Sequence, residues 1–247
     1  MRLLTFKDIK FFQADLLTEN NFKHAFFTKR SKNNEPIELQ NQLNLFSNIN
    51  YAQQVHDDKV IQVNNKLDLK PKMADSLITK DRCQSLWIYT ADCIPILIAD
   101  IKTRNISACH SGLKGIKKNI ISKTLKRLEE IGSNKNNLII AIGPYINGDK
   151  YQVEKKDVED LIIQLAGKRF MKKLLYLNEI RGEVMIHLFK KDPNPNKILI
   201  DIQAAAILQL LKEGINLNRI CTYSNPKLFN SYRKDKTNSR QWSCIYS

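Results

Sequence analysis

No run in this sequence approaches the ~20 consecutive apolar residues that span a bilayer, so no membrane-crossing helix is expected. Asp8 and Lys10 interrupt the stretch Met1 to Gln13, which rules against an export signal there. A Cys-x-x-Cys pair is also missing. The five cysteines, Cys83, Cys93, Cys109, Cys221 and Cys244, are odd in number, in a chain of 247 residues that is too long to need a disulfide scaffold. Reduced thiols in a cytoplasmic protein are the expectation. Acidic residues are scarce, with 25 Asp and Glu against 40 Lys and Arg, leaving a net charge of +15 that attracts phosphate-bearing partners. That charge is scattered over Lys70 to Lys72, Lys114 to Lys118 and Lys168 to Lys173 and is gathered into no arm or tail. With abundant Asn and Ile beside the Lys, it reads as compositional bias, and no specific nucleic-acid partner is expected.

Apolar residues make up 43% of the chain, enough for a protein of this length to bury roughly 70–75% of its surface. Collagen, coiled coil and wholesale disorder are thereby excluded. One domain over residues 1–247 is expected, of α/β (α+β) class, with a mixed sheet and flanking helices. Phe11 to Leu17 and Lys23 to Thr28 read as strands, and residues 29–50 as a polar loop. Leu86 to Tyr89 and Ile94 to Ala99 read as buried strands linked by Thr90-Ala91-Asp92-Cys93. Ile106 to Cys109 ends at His110-Ser111-Gly112 and passes into one helix over Ile116 to Ile131. Leu138 to Ile142 is another strand, closed by Gly143-Pro144, and Val158 to Leu165 a helix. Asp201 can cap a helix running through Ala204 to Leu211 and ending at Gly214. Lys227 to Arg240 reads as a basic loop, functional or solvated, before a last short apolar run.

Four histidines are few enough to weigh singly. His110 closes a strand before a glycine turn, where open α/β sheets place ligands. His56 follows Gln53-Gln54-Val55 and precedes Asp57 and Asp58. Each alone reads more readily as a satisfied or surface histidine than as a ligand. Asp92 and Cys93 add a carboxylate and a thiol that a neighbouring strand could bring near His110. A thiolate and two imidazoles make a three-donor set, and zinc held by three protein groups keeps a position open for water, with its pKa lowered to about 7. The same atoms also permit Cys93 as a nucleophile with His110 as its base.

Gln54-Val55-His56, Asp75-Ser76-Leu77-Ile78-Thr79, Thr90-Ala91-Asp92-Cys93-Ile94-Pro95 and His110-Ser111-Gly112-Leu113-Lys114-Gly115 occur in this order. That order resembles the YfiH family of purine nucleoside phosphorylases, also known as polyphenol oxidoreductase or laccase-domain proteins. Further matches are Phe26 to Arg30, Asn44-Leu45, Ile142 to Ile146, Asp201, Cys221-Thr222, and Phe229 to Arg233 with Arg240. The resemblance implies zinc at His56, Cys93 and His110, with copper as the other candidate metal. It also implies phosphorolysis of adenosine, inosine, guanosine and S-methyl-5'-thioadenosine, and adenosine deamination at the same site.

Catalytic candidates are Asp92, Cys93 and His110. Arg30, Asn44, Ser231, Arg233 and Arg240 are candidates for holding phosphate or ribose, because a guanidinium fork matches phosphate oxygens. The chain departs from the family pattern at Leu113-Lys114, where Trp-Arg is usual, at Lys29 to Lys32, which lacks a glycine pair, at Asp57, where Gly is usual, and at Lys234, where a second Arg is usual. Other readings of the resemblance are a copper-dependent phenol oxidase and a hydrolase of cell-wall precursors. A non-catalytic RNA-binding role would rest on the charge alone, and no RNA-recognition signature accompanies it.

Overall fold

The computed structural model describes residues 1–29, 35–64, 72–166, 188–211 and 227–247. In chain order the first elements are β1 (Arg2–Phe6), β2 (Ile9–Gln13), α1 (Asp15–Glu19), β3 (His24–Phe27), α2 (Pro36–Gln42), β4 (Asn48–Tyr51), β5 (Val60–Gln62) and β6 (Ser76–Thr79). There follow β7 (Gln84–Thr90), β8 (Ile94–Asp100), β9 (Ile106–Ser111), α3 (Leu113–Lys117), α4 (Ile120–Glu130) and β10 (Leu138–Ile142). Beyond these come β11 (Gln152–Glu154), α5 (Lys155–Ala166), β12 (Phe189–Lys191), β13 (Lys197–Ile200), α6 (Ile202–Leu211), α7 (Tyr232–Asp235) and β14 (Gln241–Tyr246). Among the described residues no helix is long and apolar enough to cross a membrane.

The architecture is mixed α/β, with three sheets among the described residues where the sequence suggested one. A six-stranded sheet runs β1-β2-β3-β14-β7-β4, a five-stranded sheet β10-β8-β9-β6-β5, and a small sheet β11-β13-β12. Leu86 to Tyr89 and Ile94 to Ala99 are indeed strands, yet β7 and β8 belong to different sheets, so Thr90 to Cys93 crosses between layers. Both strands are apolar on both faces because each is covered on both sides. Leu86, Ile88 and Ile245 meet Leu77, Leu97, Ala99 and Ala108 between the two larger sheets. The outer face of the six-stranded sheet packs Phe11, Phe27, Trp87 and Tyr246 with Leu39 of α2. The far face of the five-stranded sheet packs Ile96, Ile98 and Cys109 against Ile116 of α3, Ile121 and Leu125 of α4 and Ala205 of α6.

Several local expectations need correcting. Leu16 and Leu17 lie in α1 and not in a strand, because Ala14 turns the chain and its carbonyl accepts the Thr18 N–H at 3.1 Å. An extra hairpin, β1 on β2, precedes it. Residues 29–50 hold α2, begun by Pro36 at a position whose N–H needs no partner, and β4, parallel to β7. The single helix expected over Ile116 to Ile131 breaks at Asn119, which is left-handed (φ 61°). Gln209 of α6 stabilises that break, its Nε2 donating to the Ile116 carbonyl at 2.7 Å and to Asn119 Oδ1 at 3.1 Å.

The expected cap holds: Asp201 Oδ1 accepts the Gln203 and Ala204 N–H groups at 2.9 and 3.1 Å. The end of that helix near Gly214 lies outside the described residues. The last apolar run, β14, is a central strand between β3 and β7, and the basic loop before it contains α7.

His24 ties the first segment down. Its Nε2 accepts the Ala14 N–H at 2.7 Å while Nδ1 lies 2.8 Å from the Phe22 carbonyl, which requires the neutral ring with its proton on Nδ1. Burial, only partly offset by the Phe22 carbonyl, pulls its pKa below the usual 6.5. The unfolded chain therefore takes up this proton first as the pH drops, and stability contributed by neutral His24 is lost as the pH falls below about 6.5. Urea midpoints measured across that window should fall for the native sequence and stay flatter for His24→Gln; equal slopes would show that His24 is not the titrating group.

Candidate metal centre

His110 lies in β9, two residues after Ala108 and on the same side of the sheet, so it faces the gap between the two large sheets at one end. Register places it opposite Pro95 of β8, which brings Cys93 into its neighbourhood. His56 arrives from the loop between β4 and β5 in a left-handed conformation (φ 57°). The three ligand atoms of His56, Cys93 and His110 lie within 4.8 Å of one another. The imidazole rings stand edge to face at 4.8 Å between centroids, and Cys93 Sγ is 3.9 Å from His56 Nε2.

One residue arranges both histidines, and sequence reasoning assigned it no role. Asp75, fully buried, accepts a hydrogen bond from His110 Nδ1 at 2.8 Å through Oδ1. Oδ1 also takes the His56 N–H at 2.9 Å, and Oδ2 takes those of Val55 and Asp57 at 3.2 and 2.8 Å. A proton held on Nδ1 leaves Nε2 of His110 as the donor atom facing the cluster, the usual arrangement behind a metal-ligating histidine. In the sequence Asp75 stands out only as the first residue of Asp75-Ser76-Leu77-Ile78-Thr79, one of the segments that carry the family resemblance, with no role attached to it.

The electrostatics follow from this packing. Burial opposes ionisation of Cys93, yet the charge and hydrogen bonds of His110, together with His56, outweigh it and bring the thiol to about 6. Burial likewise opposes a charged His110, while the Cys93 thiolate and Asp75 raise it to about 9. Asp75 is penalised by burial but is lowered by His110 and the loop amides that it accepts. The buried Cys109 and Cys244 behave oppositely, pushed up by burial, to about 12 in the case of Cys109.

The donor set fits a metal ion. Tetrahedral zinc bonds of about 2.0–2.1 Å to nitrogen and 2.3 Å to sulfur put neighbouring N and S atoms roughly 3.5 Å apart, close to the 3.9 Å found here. His56 is exposed, Cys93 half-buried and His110 buried, so one side of the cluster opens outward. Gly112 keeps the cluster compact: a Cβ there would lie 2.9 Å from Cys93 Sγ and 3.3 Å from His56 Cδ2. Asp57, where the family usually has Gly, pairs with Lys118, and Asp58 pairs with Lys123, so two ion pairs fasten the His56 loop to the α3–α4 region.

The other candidates are spread more widely. Asp92 adjoins Cys93 with φ 87°, and its Oδ2 accepts the backbone N–H of Arg233 at 2.6 Å. The Arg233 guanidinium lies 5.1 Å from the ring centroid of Tyr151, a residue with no signal in the sequence pattern. Ser231 is buried, and its hydroxyl accepts the Lys234 N–H at 3.2 Å as the cap of α7. Arg240 donates to the carbonyls of Thr237 and Ser239 at 2.9 and 3.0 Å. Asn44 is an exposed left-handed turn residue (φ 51°) just after α2. Arg30 and Cys221 lie outside the described residues. Leu113 packs partly into the helix-side core, and Lys114 is exposed.

Residues 30–247 match the family described as multi-copper polyphenol oxidoreductase laccase. A Synechocystis protein named purine nucleoside phosphorylase is 29% identical over 239 residues, covering 91% of this chain and 89% of that protein. A protein of the same name from Aquifex aeolicus is 32% identical over 195 residues, covering 78% and 79%. Among solved structures, YfiH from Bacillus licheniformis superposes with a TM-score of 0.75 at 19% identity, covering 97% of this chain and 96% of its own. A Neisseria meningitidis protein gives 0.74 at the same identity, covering 97% and 99%. At that identity the structural likeness speaks to the fold.

Proposed function

The chain belongs to the multi-copper polyphenol oxidoreductase laccase family, and on that premise we propose that it is a zinc-dependent purine nucleoside phosphorylase with adenosine deaminase activity, acting in the cytoplasm as a single domain. The observation that carries this reading is the convergence of His56, Cys93 and His110 on one partly open point, with Asp75 fixing the tautomer of His110. The names of the Synechocystis and Aquifex aeolicus relatives support the nucleoside and phosphate chemistry.

Three protein donors leave a coordination position free, and a zinc ion bound there would supply Lewis-acid charge and a water ionisable near neutral pH. The chain's own residues set the geometry. His56, Cys93 and His110 would hold the ion, and Asp75 keeps the His110 proton on Nδ1. Arg233 is tethered by its backbone N–H to Asp92, the residue next to Cys93, and its guanidinium lies by the ring of Tyr151. Arg30, Asn44, Ser231 and Arg240 are further candidates for phosphate or ribose.

In phosphorolysis a phosphate oxygen bonds to the ribose C1′ as the bond from C1′ to the purine nitrogen breaks, and the purine leaves with a proton. In deamination water replaces the amino group at C6, giving inosine and ammonia. Adenosine, inosine, guanosine and S-methyl-5'-thioadenosine are the proposed substrates. A thiolate and imidazoles also accept copper, so phenol oxidation is the competing activity at the same centre.

The test is chromatographic. Zinc-loaded protein incubated with adenosine should form adenine only when phosphate is present and inosine in either case, and His110→Ala should form neither. Products that are equal in the two proteins would sink the reading. Oxygen uptake with a phenol in copper-loaded protein, without nucleoside turnover, would put the oxidase reading in its place.

A further inference from the structure

Tyr151 and Arg233 come from distant parts of the chain and meet beside the thiolate. Tyr151 sits between a short 3₁₀ turn and β11, where its N–H donates to the Gly148 carbonyl at 3.3 Å and its carbonyl accepts the Ile200 N–H at 3.0 Å. The small sheet thus places the aromatic ring. Gly148 allows the close approach that this needs, since a Cβ there would lie 2.7 Å from the Asp201 Cβ. Arg233 is placed independently, by the bond from its N–H to Asp92 Oδ2 at 2.6 Å. Its guanidinium then reaches 5.1 Å from the Tyr151 ring centroid, within reach of the phenol oxygen.

Tyr151 is also within electrostatic reach of Cys93 and Asp92, which puts the pair on the flank of the His-Cys-His cluster. A guanidinium carries five N–H donors in a planar fork. The phenol stands beside that fork and the ring face restricts its swing. A guanidinium held in fixed orientation is the equipment for gripping a tetrahedral oxyanion.

We propose that Tyr151 is a positioning residue that locks the Arg233 guanidinium in place to bind inorganic phosphate next to the metal centre. This deepens the phosphorylase reading and rests on it. In that role Asp92 holds Arg233 at its backbone while Tyr151 holds it at its tip.

The experiment uses zinc-loaded Tyr151→Phe, Arg233→Lys and the double variant, with zinc content and thermal midpoint recorded for each. Tyr151→Phe keeps the ring and removes only the hydroxyl, so the KM for phosphate should rise about tenfold, while kcat and the KM for adenosine stay within about twofold. Because Tyr151 acts through Arg233, the double variant should be no worse for phosphate than Arg233→Lys alone. An unchanged phosphate KM in Tyr151→Phe, an equal rise in both KM values, or full additivity in the double variant would each overturn the proposal.

Calorimetric titration with inorganic phosphate separates its failure from failure of the phosphorylase reading. If the native protein binds phosphate more tightly than Tyr151→Phe does but cleaves no nucleoside, the pair stands and the phosphorylase reading falls. If the native protein cleaves nucleoside and Tyr151→Phe matches it in both assays, the pair falls. Failure of the native protein both to bind phosphate and to cleave nucleoside removes both.

Discussion

Asp75→Ala is expected to cost the fold about 3–5 kcal/mol, the scale for leaving partners of a buried charge unpaired, and to abolish metal retention. The carboxylate serves four donors at once: the His110 ring and the N–H groups of Val55, His56 and Asp57. The loop amides are partly buried, so each unsatisfied one contributes at the low end of the ~1–3 kcal/mol range. The second effect is positional. The left-handed turn at His56 is stabilised by acceptance of its N–H, and His110 Nε2 is presented because Nδ1 has a fixed partner.

Asp75→Asn separates the two effects. One amide oxygen can still accept while the NH2 confronts former donors, so the protein should fold, with metal affinity weakened about 10- to 100-fold. Urea denaturation of metal-free protein and competition with a chromophoric chelator are the measurements. Metal affinity unchanged in Asp75→Asn would show that the carboxylate is structural only.

His110→Ala is expected to drop bound metal from about one ion per chain to a trace after dialysis, because two donors rarely retain zinc where three did. Any turnover that depends on the ion should fall by about a hundredfold or more, the scale seen when one preorganised electrostatic contributor is removed. Asp75 still accepts three backbone N–H groups in this variant, so its charge is not stranded and the fold should survive. Cys93→Ala should behave the same way, and because Cys93 is half-buried at the mouth its stability cost should be smaller. Elemental analysis beside the product assay decides the matter: metal retained at the native level in either variant would remove that residue from the donor set.

The three candidate donors could be named from the sequence, although their grouping came from the family resemblance and not from their spacing. His56, Cys93 and His110 are chemically distinctive and rare, and the cysteine and the second histidine sit beside apolar runs that had to become buried strands. The Asp201 cap and the α4 stripe of Ile120, Ile121, Thr124, Leu125 and Leu128 were equally readable, because caps and helical faces are local properties of consecutive residues. Asp75 was not. Its role depends on accepting from a loop nearly twenty residues earlier and a ring thirty-five residues later, and nothing in its immediate neighbours encodes either contact. Tyr151 and Arg233 are a further instance, joined only where the small sheet and α7 come together.

What the sequence determined by itself is the set of strands and helices with strong periodicity, a sizeable core, and the thiolate and imidazole chemistry available at its edge. Tertiary structure decided which sheet each strand joined. Strands such as β7 and β8 are apolar on both faces, and a uniformly buried run carries no sign of its partners, so their division between two sheets is settled by packing and long-range register. That division makes Thr90 to Cys93 a bridge between layers, and it sets Cys93, His110 and the loop of His56 around one point.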